Sequence, residues 1–147
     1  MRLLLIIDDY LTHSIKVAAK MMHELAIELK NNGHQVTVLT PKFSRNEKTP
    51  ITDLDGIRLL NLRRGEIKNV GRVKRAINES LLSFYAREAA KEYLKNNSCD
   101  GIVYYSPSIF WGPLVKYLKT HCNCKSYLIL RDIFPQWTVD NGLMREN

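Results

Sequence analysis

Arg2-Leu3-Leu4-Leu5-Ile6-Ile7-Asp8-Asp9-Tyr10 is the stretch whose reading decides the fold. Five consecutive apolar residues cut off by two carboxylates leave no polar helical face. A short unbroken run of this kind fits a strand buried on both faces, as in a parallel sheet flanked by helices. Ligand sites in such sheets lie beyond the carboxyl ends of the strands. Asp8 and Asp9 therefore fall where a site is expected.

Outward from this strand, the chain alternates. Residues 15–32 read as a helix, with Ser14 as N-cap and Gly33 as the left-handed residue beyond its end. Ile15, Ala18, Ala19, Met22, Leu25 and Leu29 make its apolar stripe. Residues 35–40 are a β-branched second strand, so a right-handed βαβ unit opens the chain. Residues 41–56 are polar and read as irregular, and residues 57–62 form the third strand. A long helix is predicted over 70–95, with Val70, Val73, Ile77, Leu81 and Phe84 as its stripe. Residues 101–106 are the fourth strand, 108–121 a helix with Pro113 in its first turns, and 126–130 the fifth strand. Another helix starts near Phe134. The alternation predicts one α/β domain: a Rossmann-like open, mostly parallel sheet with helices on both faces. Asn147 follows soon after a helix start with no closing strand, so the chain reads as the front part of a longer protein.

At 147 residues, with 45% hydrophobic and 25% charged residues, the chain is globular and large enough for its own core. No apolar run approaches the roughly eighteen residues that a spanning helix needs. The first run is too short for a signal peptide and ends in two aspartates, so a cytoplasmic location is expected. Cys99, Cys122 and Cys124 are an odd number without zinc-site spacing, and they read as reduced thiols; no metal is expected. The net charge of +7 asks for an acidic partner.

Paired acids after a first strand also suit a magnesium-binding receiver domain. That architecture needs an Asp ending the third strand and a Lys ending the fifth, where this chain has Leu62-Arg63-Arg64 and Leu130-Arg131-Asp132. The segment from Asp9 to Ser14 holds no glycine, which excludes a dinucleotide fingerprint or a P-loop there. His13 in that loop is either a proton carrier or an ordinary loop histidine. Arg63, Arg64, Lys68, Arg72, Lys74 and Arg75 face one acid, Glu66, so a net +5 falls within thirteen residues. Such clustering is either a solvated face or a docking patch for an anionic membrane surface. No aromatic residue interleaves it to stack bases, so nucleic acid is not the expected partner. Two aromatic segments, Ser106-Pro107-Ser108-Ile109-Phe110-Trp111-Gly112-Pro113 and Leu130-Arg131-Asp132-Ile133-Phe134-Pro135-Gln136-Trp137, follow strand ends and suit pocket walls.

These two segments resemble the amino-terminal domain of family-4 glycosyltransferases, retaining enzymes of the GT-B fold. The likeness is greatest to bacterial enzymes of O-antigen, lipopolysaccharide and capsule synthesis such as fucosamine transferases. Asn-Gly-His-Gln-Val-Thr-Val-Leu-Thr-Pro (32–41) and Asp-Gly-Ile-Arg-Leu (55–59) look like the family's second and third strands. The resemblance covers essentially the whole chain. It implies that this domain takes the acceptor, a saccharide carried on a polyprenyl diphosphate. The nucleotide-sugar would be held by a separate carboxy-terminal domain, so no cofactor is expected here. The Gly-Gly pair that many members carry after the first strand is replaced by Asp9-Tyr10-Leu11-Thr12-His13-Ser14.

The resulting expectation is an enzyme peripheral to the inner face of the cell membrane, inactive without its donor domain. Asp132 and His13 are the candidate catalytic residues, positioning an acceptor hydroxyl. Asp9, Tyr10, Lys16, Ser106, Ser108, Trp111 and Arg131 are candidates for acceptor binding, with Arg131 facing phosphate and Trp111 giving an apolar wall. The alternative is a non-catalytic Rossmann-like module that docks through its basic segment.

Overall fold

The structure is a computed structural model and describes residues 1–11, 14–42, 51–63, 84, 86–88, 90, 91, 93–95, 97–105 and 111–131. The elements are β1 (Arg2–Ile6), α1 (Val17–Asn31), β2 (Gln35–Lys42), β3 (Ile51–Leu54), β4 (Ile57–Arg63), β5 (Gly101–Tyr105), α2 (Gly112–Cys122) and β6 (Lys125–Ile129). Described residues between 84 and 94 are also helical. The strands form one sheet in the order β3-β4-β2-β1-β5-β6, parallel throughout except for β3.

The opening run behaves as its composition demands. Leu4 and Ile6 join a core cluster on one face with Leu39, Leu60, Ile102, Leu114 and Leu118. Leu5 and Ile7 join the opposite cluster with Met22, Ala26, Val38 and Leu59. All four are at most 2% exposed. Burial of such a side chain contributes about 1.5–3 kcal/mol, and β1 supplies it to both layers.

Helix α1 corrects the sequence reading at its head. Ser14 does not cap it: its hydroxyl accepts the Lys16 amide at 3.2 Å, and the N-cap is Lys16, with no side-chain cap bond. The helix begins two residues late, so Ile15 leaves the predicted stripe and is fully exposed. Its far end follows expectation. Gly33 sits at φ 80°, its amide reaching Lys30 O at 2.9 Å and the His34 amide reaching Leu29 O at 3.1 Å. This is the double closure that a left-handed residue beyond the C-cap permits.

Part of the stretch read as irregular is ordered. β2 runs on to Lys42, and Ile51–Leu54 forms β3, antiparallel to β4 with Leu54 opposite Ile57. The two-residue turn Asp55-Gly56 has φ of 53° and 72°, the primed hairpin turn that matches strand twist. The Asp53 carboxylate accepts the Gly56 amide at 2.9 Å. Of the helix read over 70–95, Ala86, Ala90 and Leu94 are buried among the described residues, while Phe84, expected in the apolar stripe, is 56% exposed. Val70, Val73, Ile77, Leu81 and the helix expected near Phe134 lie outside the described residues. α2 runs over Gly112–Cys122 with Pro113 in its first turn, where the missing amide costs nothing, and residues 108–110 of the predicted helix lie outside the described residues.

Because β1 has β2 on one side and β5 on the other, the chain reverses its winding direction between β1 and β5. That point is where open α/β sheets form their ligand crevice.

Candidate functional site

At the carboxyl pole of β1 the strand leaves the ladder through the Ile7 amide, which reaches Leu39 O at 3.2 Å. Asp8 and Asp9 follow. Asp9 Oδ2 pairs with Lys16 Nζ at 2.9 Å, linking the loop after β1 to the head of α1. The two side chains are 37% and 72% exposed, so the pair contributes at most about 1 kcal/mol to stability. Both groups stay accessible to a polar ligand.

Tyr10 is committed elsewhere. Its ring is buried, and its hydroxyl meets His23 Nδ1 at 2.8 Å, while His23 Nε2 meets Asp55 Oδ2 at 3.0 Å. The Asp55 carboxylate can only accept, so His23 donates from Nε2 and Tyr10 donates to Nδ1. Burial, and then the Asp55 charge, push the Tyr10 phenol above its ordinary pKa. The chain of bonds fixes the loop after β1 to α1 and to the β3–β4 turn.

At the ends of β5 and β6, an Arg131 guanidinium N–H donates to the Tyr105 hydroxyl at 3.3 Å. Tyr105 is 6% exposed and Arg131 is exposed. A buried phenol therefore steadies a cation that faces solvent. Trp111, just before α2, is fully buried and packs in the core cluster. The side chain expected as an apolar ligand wall thus supports the pole from behind. Its indole N–H and the Thr40 hydroxyl, near the end of β2, find no hydrogen-bond partner among the described residues.

Of the residues singled out from sequence, the structure brings Asp9, Lys16 and Arg131 to the same pole of the sheet. Arg63 closes β4 at that pole, level with Lys42. His13, Ser106, Ser108, Asp132, Arg64, Lys68, Arg72, Lys74 and Arg75 lie outside the described residues. Tyr105 and His23 were missed: one read as a strand residue, the other as a polar position on a helix. Neither has a local signal, because each acts through a partner distant in sequence. An open groove of about 420 Å³ flanks α2 and β6, with Tyr104, Lys116, Lys119 and Ser126 in its walls. Among the described residues no group of three or more His, Cys, Asp or Glu is placed to hold a metal ion. Among them, too, no helix is long and apolar enough to cross a membrane.

No family model matches the chain, and no curated protein matches it. Solved structures do. Sucrose-phosphate synthase from Thermosynechococcus elongatus superposes with a TM-score of 0.67 at 16% identity, over 86% of this chain and 32% of that one. A UGT transferase from Siraitia grosvenorii in complex with UDP gives 0.54 at 15% identity, over 88% of this chain and 27% of that one. The chain thus spans between about a quarter and a third of the length of these two structures. At such identities the likeness speaks for architecture: this chain carries the Rossmann-like α/β fold found in GT-B glycosyltransferases.

Proposed function

We propose that this chain is the acceptor-side domain of a retaining GT-B glycosyltransferase. It moves a sugar from a nucleotide-sugar to a lipid-linked saccharide in surface-polysaccharide synthesis, at the inner face of the cell membrane. The observation that carries the reading is the superposition on part of a sucrose-phosphate synthase over 86% of the chain. It is joined by the resemblance of residues 105–113 and 130–140 to family-4 enzymes. The placement of Asp9, Lys16 and Arg131 at the same carboxyl pole supports it, since a sugar diphosphate needs both an acceptor for its hydroxyls and cations for its phosphates. Arg131, held by Tyr105, faces the diphosphate; Asp9 takes a sugar hydroxyl; Asp132 and His13 orient the hydroxyl that receives the new bond. The basic segment carrying Arg63, Arg64, Lys68, Arg72, Lys74 and Arg75 docks on anionic headgroups.

Calorimetric titration of this chain with polyprenyl-diphosphate saccharides in detergent micelles tests the acceptor assignment. Binding that Arg131→Ala weakens about 10–100-fold, the equivalent of one charged hydrogen bond, is the expected result. A chain that binds nucleotide-sugar and ignores the lipid-linked saccharide overturns the acceptor-side reading. Asp132→Ala, made in the protein as its gene encodes it, must lower the transfer rate; an unchanged rate removes Asp132 from the site.

A further inference from the structure

All three cysteines of the chain meet at the pole opposite the candidate site. Cys99 lies two residues before β5 and Cys124 one residue before β6, and these strands are parallel neighbours with Gly101 opposite Lys125. Extending that register puts Cys99 and Cys124 one diagonal step apart. At ordinary strand spacing this is a Cα separation of roughly 6 Å, inside the range that disulfides span. Their Sγ atoms are 3.8 Å apart, with the side chains already turned toward each other. Cys122, the last residue of α2, also adjoins Cys99. Cys99 is 4% exposed, whereas Cys122 and Cys124 are half-buried, so reagents reach the cluster through Cys122 and Cys124, and of these Cys124 has its Sγ against Cys99.

We infer that Cys99 and Cys124 are a reversible disulfide site that takes a low-molecular-weight disulfide such as glutathione disulfide as oxidant. The Cys124 thiolate attacks one sulfur of the oxidant, forming a mixed disulfide and expelling one thiolate. Cys99 then loses its proton and attacks Cys124 Sγ, expelling the second. Two protein thiols are oxidised, one small disulfide is reduced to two thiols, and the two protons the protein thiols lose end on the expelled thiolates. Burial pushes both thiols above their ordinary pKa, so they rest protonated at neutral pH and react faster as the medium becomes alkaline. The bond closes the loop from residue 99 to residue 124, and thus ties together the amino ends of β5 and β6. The crossover between them leads through Trp111 and α2. It leaves the carboxyl pole free of new covalent constraint.

The full chain, reduced and then incubated with glutathione disulfide at mildly alkaline pH, decides the matter by non-reducing peptide mapping. The expected product has a Cys99–Cys124 linked peptide pair and a single remaining thiol, and its thermal midpoint is raised by roughly 5–10 °C. Dithiothreitol reverses both changes. Cys122→Ser must behave like the unmodified sequence, and Cys124→Ser must form no internal link. Three thiols still titratable after oxidation, a link that runs through Cys122, or a mixed glutathione adduct that never resolves would each overturn the assignment. The mapping is done on the unmodified sequence, so the outcome does not depend on a variant folding.

Discussion

Tyr10→Phe removes one hydroxyl and keeps the ring in its cluster. The Tyr10 hydroxyl donates to His23 Nδ1 at 2.8 Å, on a histidine whose side chain is 12% exposed. Water has little room to replace the lost donor. A net hydrogen bond is worth about 1 kcal/mol, and an acceptor left unsatisfied in a part-buried place raises the loss to about 1–2 kcal/mol. For a domain of this size that is a fall of roughly 3–8 °C in thermal midpoint. The pH dependence gives a sharper test. The folded phenol holds its proton more tightly than the unfolded one, so its contribution is fully present below pH ~10 and is lost as pH rises beyond that. Above pH ~10 the unmodified protein therefore loses stability faster than the variant, by up to about 1.4 kcal/mol per pH unit. The gap between them closes about one unit higher. Cys99, whose thiol is also raised, adds its own alkaline loss to both proteins and cancels in the difference. Urea unfolding from pH 7 to 11, followed by tyrosinate absorbance, measures this. A variant as stable as the unmodified protein at pH 7, or a gap that stays constant to pH ~11, would refute the assigned bonding.

Three further outcomes are expected. Leu5→Ala empties a fully buried position in the central strand and should cost about 2–5 kcal/mol by urea midpoint, among the largest losses for a single truncation. Gly33→Ala should cost about 1 kcal/mol, because a Cβ is strained at φ 80° although the space around it is open; helix content at the midpoint reads it. Asp100 is held below the ordinary carboxylate range by the Arg2 amide and then by its guanidinium, so the stability it adds is present at neutral pH and fades as pH falls below ~4. Asp100→Asn should flatten that acid limb in a thermal scan across pH 2–6.

How much of this was readable in one sequence depends on how far each cause reaches along the chain. The double-faced burial of residues 3–7, the left-handed Gly33 and the first-turn Pro113 are local patterns, and each appears where expected. The β3–β4 hairpin was also locally signalled by Asp55-Gly56 between apolar residues, but the polar stretch before it hid a strand of only four residues. At the head of α1 the helix starts at Val17, two residues after the start expected behind Ser14. Ser14 turned its hydroxyl to Lys16 instead of capping a helix at Ile15. The site was legible only as a pole. That Asp9 meets Lys16 is a short-range fact. That Tyr105 steadies Arg131 or that Tyr10 engages His23 is set by strand order and helix placement, which no spacing encodes. Trp111 shows the same limit, since an aromatic residue after a strand suits a wall and a core equally.

The pairing of β1 with β5 has a further consequence for how the chain comes to be folded. Leu3 lies beside Gly101, and the Arg2 amide is bonded to Asp100, 98 positions away. As the chain leaves the ribosome, β1, β2, β3 and β4 can assemble early, since each finds its neighbour within a few tens of residues. One edge of β1, the most apolar strand in the sheet, then stays unpaired until residue 105 has emerged. Long-range parallel pairing is slow to close, and an open apolar edge invites strands from other chains. Nascent chains stalled before residue 100 should therefore be the aggregation-prone species. Slower synthesis across the stretch between β4 and β5 should lengthen that exposure.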